Sequence, residues 1–149
     1  MIILLLPVSS YAIVENQYYT ENDVILIAKT LLGECGGVPS KERQAACAWV
    51  ILNRVDSEGY GDSIKSVITK KSQFIGYKSS NAVRDDLYDL SCDVLERWSR
   101  EKDGEIDVGR TIPNDYYFFT GNGKENRFRK KFKSTGVYWD WSLPNPYDT

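Results

Sequence analysis

The sequence predicts a mainly α, α+β domain: a helical core, then a C-terminal third of loops with a small β-hairpin. Four segments carry apolar residues at helical spacing, whereas turn residues and consecutive aromatics dominate after about residue 103. A chain of 149 residues suits a single domain. Its 42% hydrophobic and 27% charged residues are typical of a globular protein rather than a disordered one.

The first two helices are predicted from their capping residues. Thr20, with an acid three residues later, is typical of an N-cap, and the residues behind it are apolar on nearly all sides. We therefore expect a buried helix of about 11 residues that ends at Gly36 and Gly37. Ser40 can cap a second helix, over about 41–55, whose apolar residues also recur at helical spacing.

Two further helices follow. Ser63 is expected to open a short helix that runs through Ile68, and Ser80 or Asn81 to cap a fourth. The fourth helix carries one apolar stripe, formed by Val83, Leu87, Leu90, Val94 and Trp98. Beyond it, the aromatic run Tyr116–Phe119 predicts a strand, Gly121–Gly123 a turn, and Gly136–Trp141 the returning strand.

The N-terminus resembles the end of an export signal. Ile2–Val8 is a short apolar run, and residues 10–12 form a small-x-small triplet with cleavage expected after Ala12. We interpret 1–12 as a signal-peptide remnant and 13–149 as the mature domain, with a frayed hydrophobic strand as the alternative for the first segment. The run is too short to span a membrane, which takes about 20 apolar residues.

The chain contains no histidine. This excludes Ser-His-Asp triads, Cys-His peptidases and HExxH zinc sites, and it leaves carboxylates, Tyr, Lys and Cys for catalysis. Cys35, Cys47 and Cys92 match no zinc motif, so we expect small buried thiols, and a Cys35–Cys47 bridge stays open. We predict an activity that needs no metal and no cofactor.

Glu34 is the candidate acid. It lies at the end of the most apolar predicted helix, beside glycines that allow another molecule to approach closely. Burial against apolar groups raises the pKa of a carboxyl, and a raised pKa keeps a proton available at neutral pH. The alternative is a glutamate beside a helix end with no catalytic role.

Several blocks, in order, resemble the SleB/CwlJ-type cell-wall hydrolases. The blocks are Gly33–Gly37, Gln44–Ala46, Val50–Val55, Ser72–Phe74 and the aromatic and glycine-rich pattern within 113–128. The resemblance as a whole spans about residues 22–140. The chain departs from the family at Cys35, where Ala is usual, and at Glu125, where many relatives carry His.

The resemblance implies a lysozyme-like fold and a secreted enzyme that cleaves peptidoglycan glycan strands between N-acetylmuramic acid and N-acetylglucosamine. Glu34 would protonate the glycosidic oxygen and then take the proton of the C6 hydroxyl, giving 1,6-anhydromuropeptides as a lytic transglycosylase does. Two alternatives stay open. One is a muramidase that uses water, with Glu125 as a second acid, and the other is a non-catalytic wall-binding module.

The resemblance also suggests substrate-binding residues. Gln73 offers an amide for N-acetyl or hydroxyl groups, and Tyr117 and Phe119 share one side of a strand from which they could stack on sugars. Asn126 matches a family position. Asn53 is expected to brace a helix end instead.

The expected partner is peptidoglycan, bound at the cell wall by a monomer. A formal net charge of −2 gives no basic field for nucleic acid. The stretch Lys124–Lys133 is strongly basic and could attract anionic wall polymers, although a solvated loop is the simpler interpretation.

Overall fold

The computed structural model describes residues 16–132 and 136–148, and within them the mainly helical architecture is confirmed. The helices are α1 (Glu21–Cys35), α2 (Lys41–Val55), α3 (Ile64–Thr69) and α4 (Asp85–Lys102), and the strands are β1 (Phe118–Gly121) and β2 (Asn126–Arg129). The expected signal-peptide remnant at 1–12 lies outside the described residues.

The first three helices begin at the predicted caps. The Thr20 hydroxyl accepts a hydrogen bond from the Asp23 backbone N–H, and the Asp23 carboxylate accepts one from the Thr20 N–H at 2.9 Å. Ser40 and Ser63 cap α2 and α3 in a similar way. α1 is 15 residues long instead of the expected length of about 11, because the helix also includes its polar first turn and Glu34.

The predicted start of α4 is wrong. The helix begins after Arg84, whose side chain makes no capping hydrogen bond, and neither Ser80 nor Asn81 caps it. The Asn81 amide instead donates to the carbonyl oxygens of Lys29 at 3.0 Å and Gly76 at 2.9 Å. A side chain committed to these two carbonyls is not available to cap a helix.

The predicted returning strand is also wrong. β1 pairs antiparallel with β2, with Gly121 opposite Asn126, and not with Gly136–Trp141. The Asn122 side-chain oxygen accepts hydrogen bonds from the backbone N–H groups of Lys124 at 3.0 Å and of Glu125 at 2.9 Å. This local turn reverses the chain within four residues, so β2 follows at once.

The core lies where α1, α2 and α4 pack together. Its largest fully buried side chains include Trp49, Phe128, Ile27, Leu31, Ile51 and Leu52. The predicted stripe of α4 is buried from Leu87 to Trp98, whereas Val83 precedes the helix and is exposed.

The segment 136–148 covers the hairpin. The Trp139 backbone N–H donates to the Phe128 carbonyl at 2.9 Å, and its indole donates to the Thr111 carbonyl at 3.0 Å. Asn53, near the end of α2, donates to two carbonyls of the segment before β1, as expected of a bracing residue. The Asn53 hydrogen bonds hold the segment before the hairpin close to the C-terminal end of α2.

Candidate active site

Glu34 lies in the last turn of α1 and is half-buried. Its carboxylate accepts a hydrogen bond from the backbone N–H of Gly76 at 2.9 Å. Gly76 belongs to the loop between α3 and α4, so a contact across 42 residues of chain holds the candidate acid in place. Such a hydrogen bond restricts the carboxyl to one orientation.

Glycines on both sides make this contact possible. A Cβ on Gly33 would collide with the carbonyl of Gly76, and a Cβ on Gly76 would collide with the backbone of Gly33. A second close approach joins Gly37 to the carbonyl oxygen of Gly123 in the hairpin turn. The glycines around Glu34 therefore admit two segments of the same chain, which the sequence analysis did not foresee.

The pKa of Glu34 is raised. Burial is the largest influence, because it disfavours the charged carboxylate. The Gly76 N–H and the positive charge of Arg54 act in the opposite direction but do not outweigh it. A half-buried carboxyl with a raised pKa is suited to donate a proton.

Arg54 is the residue that the sequence analysis missed. It lies in the last turn of α2 with 5% of its surface exposed. Its Nε donates to the Tyr117 carbonyl at 2.8 Å, and its Nη1 donates to the Gln73 side-chain oxygen at 3.0 Å. An arginine within an otherwise apolar helical run was the available signal, since a buried guanidinium needs polar partners.

Aromatic rings enclose this arginine. The Arg54 guanidinium carbon lies 5.1 Å from the Tyr60 ring centre, 4.9 Å from that of Phe74 and 5.2 Å from that of Phe118. Together these contacts hold the guanidinium in one position. We call Glu34, Gly76, Arg54 and Gln73 the Glu34 site.

Two predicted binding residues adjoin the Glu34 site. Gln73 is exposed and contacts Arg54. The Tyr117 ring is half-buried and stacks on the Tyr60 ring, with centres 5.5 Å apart. Their contact with a substrate stays a prediction.

Phe119 and Asn126 lie deeper. Phe119 is half-buried and packs against two other rings, with its ring centre 6.3 Å from that of Phe74 and 5.4 Å from that of Phe128. Asn126 is 1% exposed, and its amide donates to the Cys47 sulfur at 3.1 Å and to the Glu34 carbonyl at 3.5 Å. Asn126 therefore supports the Glu34 backbone from behind, and its predicted contact with substrate stays untested.

The cysteines and Glu125 have simpler surroundings. Cys35 and Cys47 are buried free thiols, and Cys92 is half-buried and also free. Glu125 is exposed in the hairpin turn, with a carboxylate oxygen 4.0 Å from Arg127 Nε. Within the described residues, no group of three His, Cys, Asp or Glu side chains could hold a metal ion.

Comparison with known proteins identifies the family. Residues 39–136, well over half of the chain, match the family described as Cell Wall Hydrolase. The chain belongs to the cell wall hydrolase family. This membership identifies an enzyme family that acts at the cell wall, outside the cytoplasm. The resemblance noted in the sequence is thereby confirmed.

A distant relative supports this assignment. The hydrolase is 41% identical over 58 residues to a spore cortex-lytic enzyme of Oceanobacillus iheyensis. The alignment covers 39% of this chain but only 21% of that enzyme, so the chain matches about a fifth of its relative's length. No solved structure matches the hydrolase.

The family match contains most of the site but not its acid. Residues 39–136 include Arg54, Gln73, Gly76 and the hairpin, and they begin after Glu34. The role of Glu34 therefore depends on its geometry. Along the described parts of the hydrolase, no helix combines the length and apolar character needed to cross a bilayer.

Proposed function

We propose that the hydrolase cleaves peptidoglycan glycan strands between N-acetylmuramic acid and N-acetylglucosamine, with Glu34 as the single acid and base. The observation that carries this proposal is the setting of Glu34. The carboxyl is half-buried, its pKa is raised, and the Gly76 N–H fixes its orientation. A protein that only binds the wall gains nothing from such an acid, so an enzyme is favoured over a wall-binding module.

The chemistry is that of a lytic transglycosylase. Protonated Glu34 gives its proton to the glycosidic oxygen as the bond between that oxygen and C1 of the muramic acid breaks. The resulting carboxylate then takes the proton of the C6 hydroxyl while the C6 oxygen bonds to C1. Glu34 regains its proton, no water is consumed, and the product ends in a 1,6-anhydro sugar.

The hydrolytic alternative has less support from the described residues. A muramidase positions water or forms a covalent intermediate with a second carboxylate. Glu125 is the candidate proposed from sequence, but it is exposed and close to Arg127. A single-acid mechanism needs only the group whose setting is already suited to proton transfer.

Digestion of purified sacculi tests the proposal. Mass spectrometry separates the two products because an anhydro end is one water lighter than a reducing end. We expect anhydro ends from the wild type, and a rate loss of about 10²–10⁴ in Glu34→Gln, which keeps the shape but cannot transfer the proton. Glu125→Gln is the matched control and should digest at the wild-type rate.

The outcomes distinguish the alternatives. Reducing ends together with a slow Glu125→Gln variant would establish a muramidase. A folded Glu34→Gln variant that digests sacculi at full speed would remove Glu34 from the mechanism. Binding of sacculi without any cleavage by the wild type would leave only the wall-binding module.

We further propose that the protein is exported, with residues 1–12 as the remnant of its signal peptide. We also propose that the enzyme is a monomer and that its basic stretch Lys124–Lys133 aids association with the wall. Part of this stretch already interacts within the protein. Lys130 lies 3.0 Å from an Asp115 carboxylate oxygen, and Arg127 lies over the Tyr138 ring. The mass of the mature protein recovered outside the cell tests cleavage after Ala12.

A further inference from the structure

The orientation of the Gln73 amide is fixed by chemistry. A guanidinium has only donors, so the group of Gln73 that faces Arg54 Nη1 at 3.0 Å is the amide oxygen. The amide nitrogen therefore points away from Arg54. Gln73 is exposed, and across the residues that the structure describes its nitrogen meets no hydrogen-bond acceptor. The side chain thus presents two unused donors to solvent.

Arg54 is rigid enough to enforce this orientation. It is buried, it also donates to the Tyr117 carbonyl, and three aromatic rings surround its guanidinium. Rotating the Gln73 amide by half a turn would bring N–H donors against a guanidinium and lose the hydrogen bond. A buried donor left without its acceptor costs about 1–3 kcal/mol, which disfavours the rotated amide.

A second arginine makes a similar hydrogen bond to a side-chain amide, but there the amide is fully used within the fold. Arg110 donates to the side-chain oxygen of Asn53 at 2.9 Å, as Arg54 does to Gln73. However, Asn53 is buried, and its amide nitrogen is used by two backbone carbonyls. In Gln73 the corresponding nitrogen is exposed and unused.

Gln73 is linked to the candidate acid through two other members of the Glu34 site. Gln73 precedes Gly76 by three residues in the same loop, and the Gly76 N–H binds the Glu34 carboxylate. Arg54 contacts Gln73 and is near enough to Glu34 to influence its ionisation. The loop that holds the Glu34 carboxylate through Gly76 thus also presents the Gln73 amide nitrogen to solvent.

We propose that Arg54 positions Gln73 as an obligatory donor, and that this pair selects glycan whose sugar carries an N-acetyl carbonyl beside Glu34. The inference rests on the proposed glycan-cleaving function. An amide carbonyl only accepts hydrogen bonds and matches a group that only donates. A de-N-acetylated sugar carries an ammonium at this position, which offers no acceptor and would face a donor. Hydroxyl groups both donate and accept, so they would not be discriminated.

Binding of matched glycans tests the selection apart from turnover. The probes are soluble peptidoglycan strands, either native or chemically de-N-acetylated, titrated into Glu34→Gln protein so that cleavage is slow compared with binding. We expect the parent to bind the acetylated strands about tenfold or more tightly than the deacetylated ones, as one satisfied donor implies. Gln73→Glu would turn an acceptor outward, and Gln73→Met would remove the donor without adding charge. Both should lose most of the preference.

Further variants separate positioning from structure. Arg54→Met frees the Gln73 amide to rotate and should lower the preference, whereas Arg54→Lys keeps a donor towards the Gln73 oxygen and should restore part of it. Arg110→Met is the control. It should lower the melting temperature and leave the ratio of the two affinities unchanged.

An unchanged ratio in both Gln73 variants would overturn the proposal. This includes the case in which affinity falls equally for the two strands, because Gln73 would then be a contact without selectivity. Neither result would affect the proposed function, which is tested separately by the products and rates of sacculus digestion.

Discussion

Gly33→Ala is expected to disable the site without unfolding the protein. The new Cβ would occupy the position of the Gly76 carbonyl. Both groups belong to the backbone, so neither can rotate away, and the loop must move from α1. That movement breaks the 2.9 Å hydrogen bond from the Gly76 N–H to the Glu34 carboxylate.

Two effects oppose each other in the stability of this variant. Alanine is favoured over glycine inside a helix by about 0.5–1 kcal/mol. The lost hydrogen bond to a charged group costs about 1.5–3 kcal/mol. The net destabilisation is therefore about 0.5–2.5 kcal/mol, which lowers the melting temperature by several degrees and leaves the protein folded.

The effect on activity should be larger. If the hydrogen bond is as strong in the transition state, losing 1.5–3 kcal/mol lowers the rate by about 10- to 150-fold. Opening the loop also exposes Glu34 to water. Loss of the Gly76 hydrogen bond would by itself raise the pKa of Glu34, and exposure to water would lower it. Because burial is the largest influence, the pKa should fall, and activity should be lost at a lower pH on the alkaline side.

Rates of sacculus digestion across pH, with thermal melts of the same samples, check this prediction. Gly76→Ala should behave alike, because its Cβ collides with the Gly33 backbone. Gly104→Ala is the matched control, since its φ of +97° strains alanine but nothing lies within 4 Å of the new Cβ. Gly104→Ala should lose stability alone. A Gly33→Ala enzyme with a wild-type rate and pH profile would refute the reasoning.

Three further outcomes are expected. Glu34→Gln should melt at a higher temperature than the wild type at pH 7, because the raised pKa makes ionisation of Glu34 costly in the folded state. The two melting temperatures should converge as the pH falls towards about 4, where the carboxyl is protonated in the unfolded chain as well. EDTA should leave sacculus digestion unchanged, and recovery of a chelator-sensitive activity with one divalent ion would contradict the single-acid mechanism. Replacing Lys124 and Lys131 by Glu should weaken sacculus binding at low salt and hardly affect cleavage of short glycans; a difference that persists at high salt would argue against screened surface charge.

The sequence predicts local features of the fold well because they depend on neighbours in the chain. Thr20, Ser40 and Ser63 cap helices through contacts only a few residues long. The predicted start of α4 is wrong because the Asn81 side chain binds the carbonyl of Lys29, which is 52 residues away in the chain, as well as that of Gly76. The predicted returning strand is wrong because the Asn122 side chain closes a turn within four residues, so that the next segment pairs with β1.

The candidate site divides in the same way. Glu34 could be found from sequence because an acid among apolar residues and glycines is a local pattern. Its partner Gly76 could not, since nothing in the sequence indicates a contact across 42 residues. The contact of Arg54 with Gln73 likewise depends on how α2 and the loop before α4 pack together.

The positions of Glu34 and Arg54 share a further physical basis. Each lies in the last turn of its helix, where the unpaired carbonyls carry partial negative charge. This field disfavours an ionised glutamate and favours an arginine, typically by about 0.3–1 kcal/mol at exposed positions. The last turn of α1 contains no basic residue, so the compensating cation comes from α2. The last turn of α1 thus provides an acid with a raised pKa, and the last turn of α2 provides the cation that limits how far this pKa rises.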